Sequence, residues 1–235
     1  MEKLQKLIDI PDIWYRRLKN TIESQQFLDL GKFIADQRSK HTIYPAQKDV
    51  FRAFKETDFN DVKVVLFGMD PYPTEYLGEP VACGLAFAPN NPEYIPPSLR
   101  IMYETIKETV YSDELTFPID LNISNWAKQG VLLLNTGLTV QKGKAGSHIR
   151  KWEFFTNAVI ETLNETTGII FLLWGNEAKK LKPLINEKNH FILEASHPAA
   201  SIYSKGPWKC DHFNRVNEIL RVNHNEEIEW FDNLK

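Results

Sequence analysis

"VKVVLFGMDPYP", residues Val62 to Pro73, begins as an apolar run and ends as a polar turn stiffened by two prolines. Val62, Val64, Val65, Leu66 and Phe67, with Lys63 among them, predict a buried β-strand, because β-branched and aromatic residues in a short run suit extended chain. The strand runs on through Gly68 and Met69 and delivers Asp70 at its tip. Pro71 and Pro73 then flank Tyr72, and each proline holds its φ near about −65°. By itself, an Asp after a strand is usually a helix cap or an Asx-turn. What surrounds it decides whether this one does chemistry.

Three more short apolar runs follow: "GVLLLN" to Asn135, "GIIFLLWG" to Gly175 and "HFILEASHP" to Pro198. Helical spacing fills the gaps, in "PSLRIMYETIKETV", "ISNWAKQ", "KWEFFTNAVIETLN" and "NEAKKLKPLIN", and again after the last run in "DHFNRVNEILRVN". The first 40 residues also look helical, and "IYPAQKDVFRAF" reads as a proline-bearing loop entering a short helix. Strands alternating with helices predict one α/β domain over residues 1–235, with a central four-stranded, mainly parallel sheet flanked by helices. In such sheets ligands bind beyond the carboxyl ends of the strands. The residues just past the four runs are Asp70, Asn135, Trp174 with Asn176, and His197. A carboxylate, an amide and an imidazole at matching strand ends predict a site, and their types do not match the ligand spacing of a zinc centre.

The totals narrow the classes. The chain has 235 residues, 43% hydrophobic, with a formal charge of −3, so any nucleic-acid role needs a local basic patch. No apolar run reaches the roughly 18 residues of a membrane span, and the start lacks the apolar core of a secretory signal. Two cysteines, Cys83 and Cys210, are too few for a disulfide framework or a cysteine-built metal site. A cytoplasmic setting is the expectation.

The chain resembles the family 1 uracil-DNA glycosylases from about residue 43 to about residue 220. The family's water-activating motif, Gly-Gln-Asp-Pro-Tyr-His, is similar to "GMDPYP" here. Its "GLAF" stands at Gly84 to Phe87, its "PPSL" at Pro96 to Leu99, and its base-reading segment as "WAKQGVLLLNTGLTV". "IFLLWG" and "HPAASI" complete the order. The resemblance implies hydrolysis of the bond between uracil and deoxyribose in DNA, with no metal or cofactor, by a monomer that flips the nucleotide out of the helix. It implies that Asp70 activates water and His197 donates to uracil O2. It further implies that Asn135 reads the base edge, Tyr72 excludes thymine's methyl group, Phe87 stacks on the flipped ring, and Met69 helps bind the base. Pro45, Ser98, Lys142 and Lys144 would face DNA, single- or double-stranded, and a DNA-mimic protein inhibitor becomes an expected partner.

Several positions depart from the family pattern. Met69 and Pro73 stand in place of Gln and His, and "TEYLGEPVACG" is longer than the family's connection by about four residues. In "HPAASIYSKGPWKCDHF" Ser201 falls where the family carries its Leu wedge, so Ile202 or Tyr203 becomes the candidate to fill the space left by the flipped base. "QKGKAGSHIRK", with Lys142, Lys144, Arg150 and Lys151 and no acid, and Lys205 with Lys209 further on, form the expected phosphate track. Three rivals stay open at this point: a catalytically weak DNA-binding or scaffold protein of the same fold, a glycosylase of wider base range, and an acyl-transfer hydrolase. The last lacks a Gly-x-Ser-x-Gly elbow.

Overall fold

A computed structural model describes residues 8–111, 123–204, 206–224 and 226–231. Four strands, β1 (Val64–Gly68), β2 (Val131–Asn135), β3 (Ile170–Trp174) and β4 (Phe191–Ala195), form one parallel sheet in the order β2-β1-β3-β4. Every residue of β1, β2 and β3 is buried, which explains their unbroken apolar runs. β2 and β4 are the two edges; β2 is covered, whereas β4 is part-exposed and its Phe191 is 38% exposed. The first strand starts at Val64 and not at Val62, because Val62 closes a 3-10 turn over Phe59–Asp61.

Four long helices cover the sheet: α1 (Gln25–Lys40), α2 (Pro97–Val110), α3 (Ile149–Leu163) and α4 (His212–His224). α2 opens on Pro97, whose missing N–H costs nothing there, and buries Leu99, Met102, Tyr103 and Ile106 at helical spacing. α3 buries Trp152, Phe155, Val159, Ile160 and Leu163 in the same way. Ser24 accepts a hydrogen bond from Phe27 N–H and so starts α1. The β1-to-β2 crossover, which holds α2, and the β2-to-β3 crossover, which holds α3, run in opposite directions along the sheet. Right-handed connection therefore puts these helices on opposite faces. α1 packs with α3, and α4 with α2.

Those crossovers also fix the site. The chain leaves β1 toward one edge and β3 toward the other, so a crevice opens beyond their carboxyl ends. Three local features go beyond the sequence reading. The segment after Pro73 is a small hairpin, Glu75–Tyr76 against Glu79–Pro80. Ile43–Tyr44 pairs antiparallel with Val140–Gln141, tying the N-terminal loop to the segment after β2. The loop beyond His197 contains a helical turn, Ala200–Ser204. No helix among the described residues is long and apolar enough to cross a membrane.

Candidate active site

The turn after β1 is held from β2. Thr136 N–H donates to Gly68 O at 2.9 Å, Gly137 N–H to Met69 O at 3.0 Å, and the Thr136 hydroxyl to the same Met69 O at 2.6 Å. Gly68 lies opposite Asn135 in the ladder, and a Cβ on it would come within 2.3 Å of Asn135 Oδ1. Glycine there lets the Asn135 amide lie across the end of β1. Asn135 is 6% exposed, and among the described residues its amide has no hydrogen-bond partner. It lines the cleft with its donor and acceptor uncommitted.

Asp70 lines the same cleft, half-buried. Its Oδ2 accepts a hydrogen bond from Gly146 N–H, which fixes the carboxylate from the basic loop after β2. Burial pushes its pKa above the usual carboxylate value, and the Gly146 N–H pulls the other way. His197 sits past β4, with its Cβ 3.0 Å from where a Cβ on Gly175 would stand, so Gly175 makes room for it. Ala199 N–H donates to His197 Nδ1 at 3.2 Å. The ring proton of the neutral imidazole therefore sits on Nε2, and burial pushes the pKa down and favours that neutral form.

Phe87 has φ of 63°, a left-handed conformation costly for a bulky residue. Its ring stacks on His197 at 5.7 Å and 28°, and meets Trp174 edge-on. Tyr72 donates its hydroxyl to Phe87 O at 3.0 Å and so braces that turn. Burial holds the Tyr72 phenol well above its ordinary pKa, so it remains a neutral donor. The 68–73 turn, Phe87, Ser98, Asn135 and His197 enclose a cleft of about 180 Å³. One wall is aromatic, and a carboxylate, an open amide and a neutral N–H donor converge on it. No group of three or more His, Cys, Asp or Glu side chains among the described residues could hold a metal ion.

Of the residues named from sequence, the structure brings seven together: Met69, Asp70, Tyr72, Phe87, Ser98, Asn135 and His197. It separates the other strand-end candidates. Trp174 turns inward and donates to His212 Nδ1 at 2.9 Å, and Asn176 is exposed on a short helix. Pro45 sits in a turn whose main chain, at Ile43 O and Pro45 O, is gripped by the Arg38 guanidinium. Lys142 is less available than a run without acids implied, because it pairs with Glu75 of the hairpin at 2.6 Å. Lys144 is exposed two residues before Gly146. In the Ala200–Ser204 turn, Ser201 folds its hydroxyl back onto Pro198 O at 2.8 Å, whereas Ile202 is 50% and Tyr203 86% exposed. Lys205 lies outside the described residues. The Gly146 N–H and the Thr136 bracing were missed from sequence.

The family model described as Uracil DNA glycosylase superfamily matches residues 54–221. A uracil-DNA glycosylase of Clostridioides difficile is 39% identical over 95% of this chain and 98% of its own length. One from Klebsiella pneumoniae is 42% identical over 94% of this chain and 95% of its own. The human protein of that name is 38% identical over 92% of this chain and 68% of its own. Among solved structures, mimivirus uracil-DNA glycosylase superposes with a TM-score of 0.84 at 27% identity, covering 97% of this chain and 88% of that one. A mimivirus UNG variant in complex with UGI superposes with a TM-score of 0.85 at 27% identity, covering 97% and 90%.

Proposed function

The chain belongs to the uracil-DNA glycosylase superfamily, and from that premise we propose that it is a DNA repair enzyme that removes uracil from DNA by hydrolysis. The observation that supports this most directly is the convergence of Asp70, Asn135 and His197 on one cleft walled by Phe87. A uracil swung out of the helix stacks on Phe87 and offers its edge to Asn135. The amide oxygen accepts from uracil N3–H and the amide nitrogen donates to O4. Cytosine presents the opposite pattern and is refused. Tyr72 occupies the space that a methyl group at C5 needs, so thymine is refused by size. Met69 contributes through its place in the turn under the base.

The bond from C1′ to N1 breaks with its electron pair going to uracil, leaving positive charge on the sugar. Asp70 stabilises that charge, orients a water toward C1′ and takes its proton as the new C–O bond forms. The uracil anion is held by His197 Nε2–H at O2. The anion takes up a proton as Asp70 gives back the one it took, directly or through solvent, so the products are free uracil and an abasic site, with the strand unbroken. Every group this scheme uses belongs to the chain, and no metal or cofactor takes part.

The DNA strand runs over Ser98 at the start of α2, the Pro45 turn and the Lys142–Lys144 loop. Ile202 and Tyr203, the exposed apolar residues of the Ala200–Ser204 turn, enter the space the flipped base vacates, while the Ser201 hydroxyl ties their turn back to Pro198 O and faces the DNA beside them. The enzyme works as a monomer. Cys83 and Cys210, free and buried, suit the reducing cytoplasm. A protein inhibitor that mimics DNA, by presenting carboxylates in place of phosphates, would compete for the same surface. The mimivirus UNG variant solved with UGI motivates that expectation.

The decisive experiment is uracil release from a single-uracil oligonucleotide with EDTA present. Uracil and an alkali-labile abasic site are the expected products, and activity lost to EDTA and restored by zinc would refute the scheme. Two sets of variants test its parts. Asn135→Asp should lower uracil release by about 10²-fold or more and admit some cytosine, and Tyr72→Ala should admit some thymine. Unchanged base preference in both would sink the pocket assignment. Ile202→Ala and Tyr203→Ala should slow release from duplex DNA about three- to tenfold more than from single strands, since an apolar wedge matters only where a stack must be filled. If neither moves that ratio, this turn is not the wedge.

A further inference from the structure

The hairpin that begins two residues after Pro73 carries two costs at one position. Tyr76 pairs with Glu79, and the residues between them, Leu77 and Gly78, have φ of 51° and 85°. Positive φ at both central residues is the mark of a type I′ turn, whose first position favours Asn, Asp or Gly. Leucine is a poor choice there, since its branched side chain crowds a left-handed backbone. Leu77 is also 79% exposed, so burial in the protein does not offset the strain. Asn would serve the turn and the solvent better on both counts.

The mount beneath this tip is firm. Glu75 accepts from the Tyr44 hydroxyl and pairs with Lys142. Tyr76 stacks on Tyr94 at 4.6 Å and 24°, and Val81 N–H donates to Thr74 O at 3.0 Å. The base of the hairpin is thus joined to the Ile43–Pro45 turn and to the Lys142 loop, the elements read above as carrying DNA. A single exposed Leu is ordinary, but backbone strain persists where function holds it, and this strained residue stands on a rigid support beside the turn that lines the cleft.

We propose that Leu77 is a second DNA-probing residue, which packs its side chain on a nucleotide beside the extracted one in duplex DNA. The proposal rests on the glycosylase reading of the cleft. Four residues of extended chain reach at most about 14 Å from Pro73, and base pairs are stacked about 3.4 Å apart, so the tip addresses only the first few steps from the flipped position. The contact is apolar and not ionic. Glu75 is already paired, and exposed Glu79 would repel phosphates, so the tip meets sugar and base. Together with Ile202 and Tyr203 it grips the distorted helix from a different element of the fold.

Leu77→Asn and Leu77→Gly separate this role from a structural one. Both relax the turn, so the thermal midpoint should stay level or rise. The ratio of single-turnover uracil release from duplex to that from single strands should fall about fivefold, and binding of an uncleavable duplex should weaken by a similar factor. The slope of binding against salt should not change, because no phosphate contact is lost. An unchanged ratio with unchanged duplex binding would overturn the proposal, as would a drop in thermal midpoint, which would make Leu77 a packing residue. A change in association state on sedimentation with the ratio intact would assign the tip to a second copy of the chain and overturn it too. Wild-type protein that bound duplex but released no uracil would refute the glycosylase reading, while the binding comparison would still decide the role of Leu77.

Discussion

Asp70→Asn is expected to lower single-turnover uracil release by about 10²–10⁴-fold while leaving binding of uracil-containing DNA nearly intact. The amide has the same shape as the carboxylate, and its oxygen can still accept from Gly146 N–H, so the turn stays in place. What disappears is the negative charge facing the sugar and the base that takes the proton of water. The same substitution should make the protein more stable at neutral pH. Burial raises the folded-state pKa of Asp70, so its neutral form stabilises the fold at low pH, and that contribution is lost as pH rises through the folded value. A permanently neutral Asn avoids the cost of the buried charge. Loss of activity with gain in thermal midpoint is a signature that mere damage to the fold cannot produce. The wild-type rate should accordingly fall on the acid side as Asp70 takes up a proton, at a pH moved up by burial from that of a free Asp carboxylate. Near-normal turnover in Asp70→Asn, with the chemical step rate-limiting, would remove Asp70 from the mechanism.

His197→Leu is the second large effect, an expected loss of about 10²–10³-fold in turnover, the size typical of removing one donor to a developing anion. Leucine is apolar and close in size, so the cavity remains filled. It offers no N–H to uracil O2 and leaves Ala199 N–H without its acceptor. His197→Gln distinguishes the two losses, since its amide can reach toward the position of Nε2, and should recover part of the rate. pH gives an independent check. Burial lowers the folded-state pKa of His197, so the stability it contributes is present above its unfolded value of about 6.5 and is lost as pH falls toward the folded one. His197→Leu should therefore blunt the fall in stability on acidification. A variant with full turnover would show that His197 does not act as the donor to uracil O2.

Much of this site could be read along the chain because it is built at strand ends. "VVLFG", "VLLLN" and "IFLLW" announce themselves as buried parallel strands by apolar content alone, "FILEA" follows as their part-exposed neighbour, and the residues at or just past the four strand ends are then bound to share one edge. Asp70, Asn135 and His197 emerged from that rule before any resemblance was used. The same rule put forward Trp174 and Asn176 as well, and here it failed. Whether a residue beyond a strand faces the cleft or the core depends on packing partners such as His212, which lies 38 residues away from Trp174. The resemblance supplied the candidate roles of Tyr72 and Phe87. It carried no hint that Phe87 sits in a left-handed conformation braced by the Tyr72 hydroxyl.

Local composition by itself determined the α/β architecture, the buried strands, the position of the acid and the stiffness of the turn that holds it, because each depends on neighbours within a few residues. Tertiary structure alone decided how the site is tuned. The partner that orients Asp70 is a backbone N–H, and every residue except proline has one, so no residue type could mark Gly146 for that task. The pairing of Lys142 with Glu75 joins positions 67 apart in sequence and turns part of an apparent phosphate track into a brace for the hairpin. The neutral state of His197 follows from burial and from one hydrogen bond at Nδ1. Burial, long-range pairing and main-chain donors depend on how distant segments meet, and segments meet only when the chain has folded.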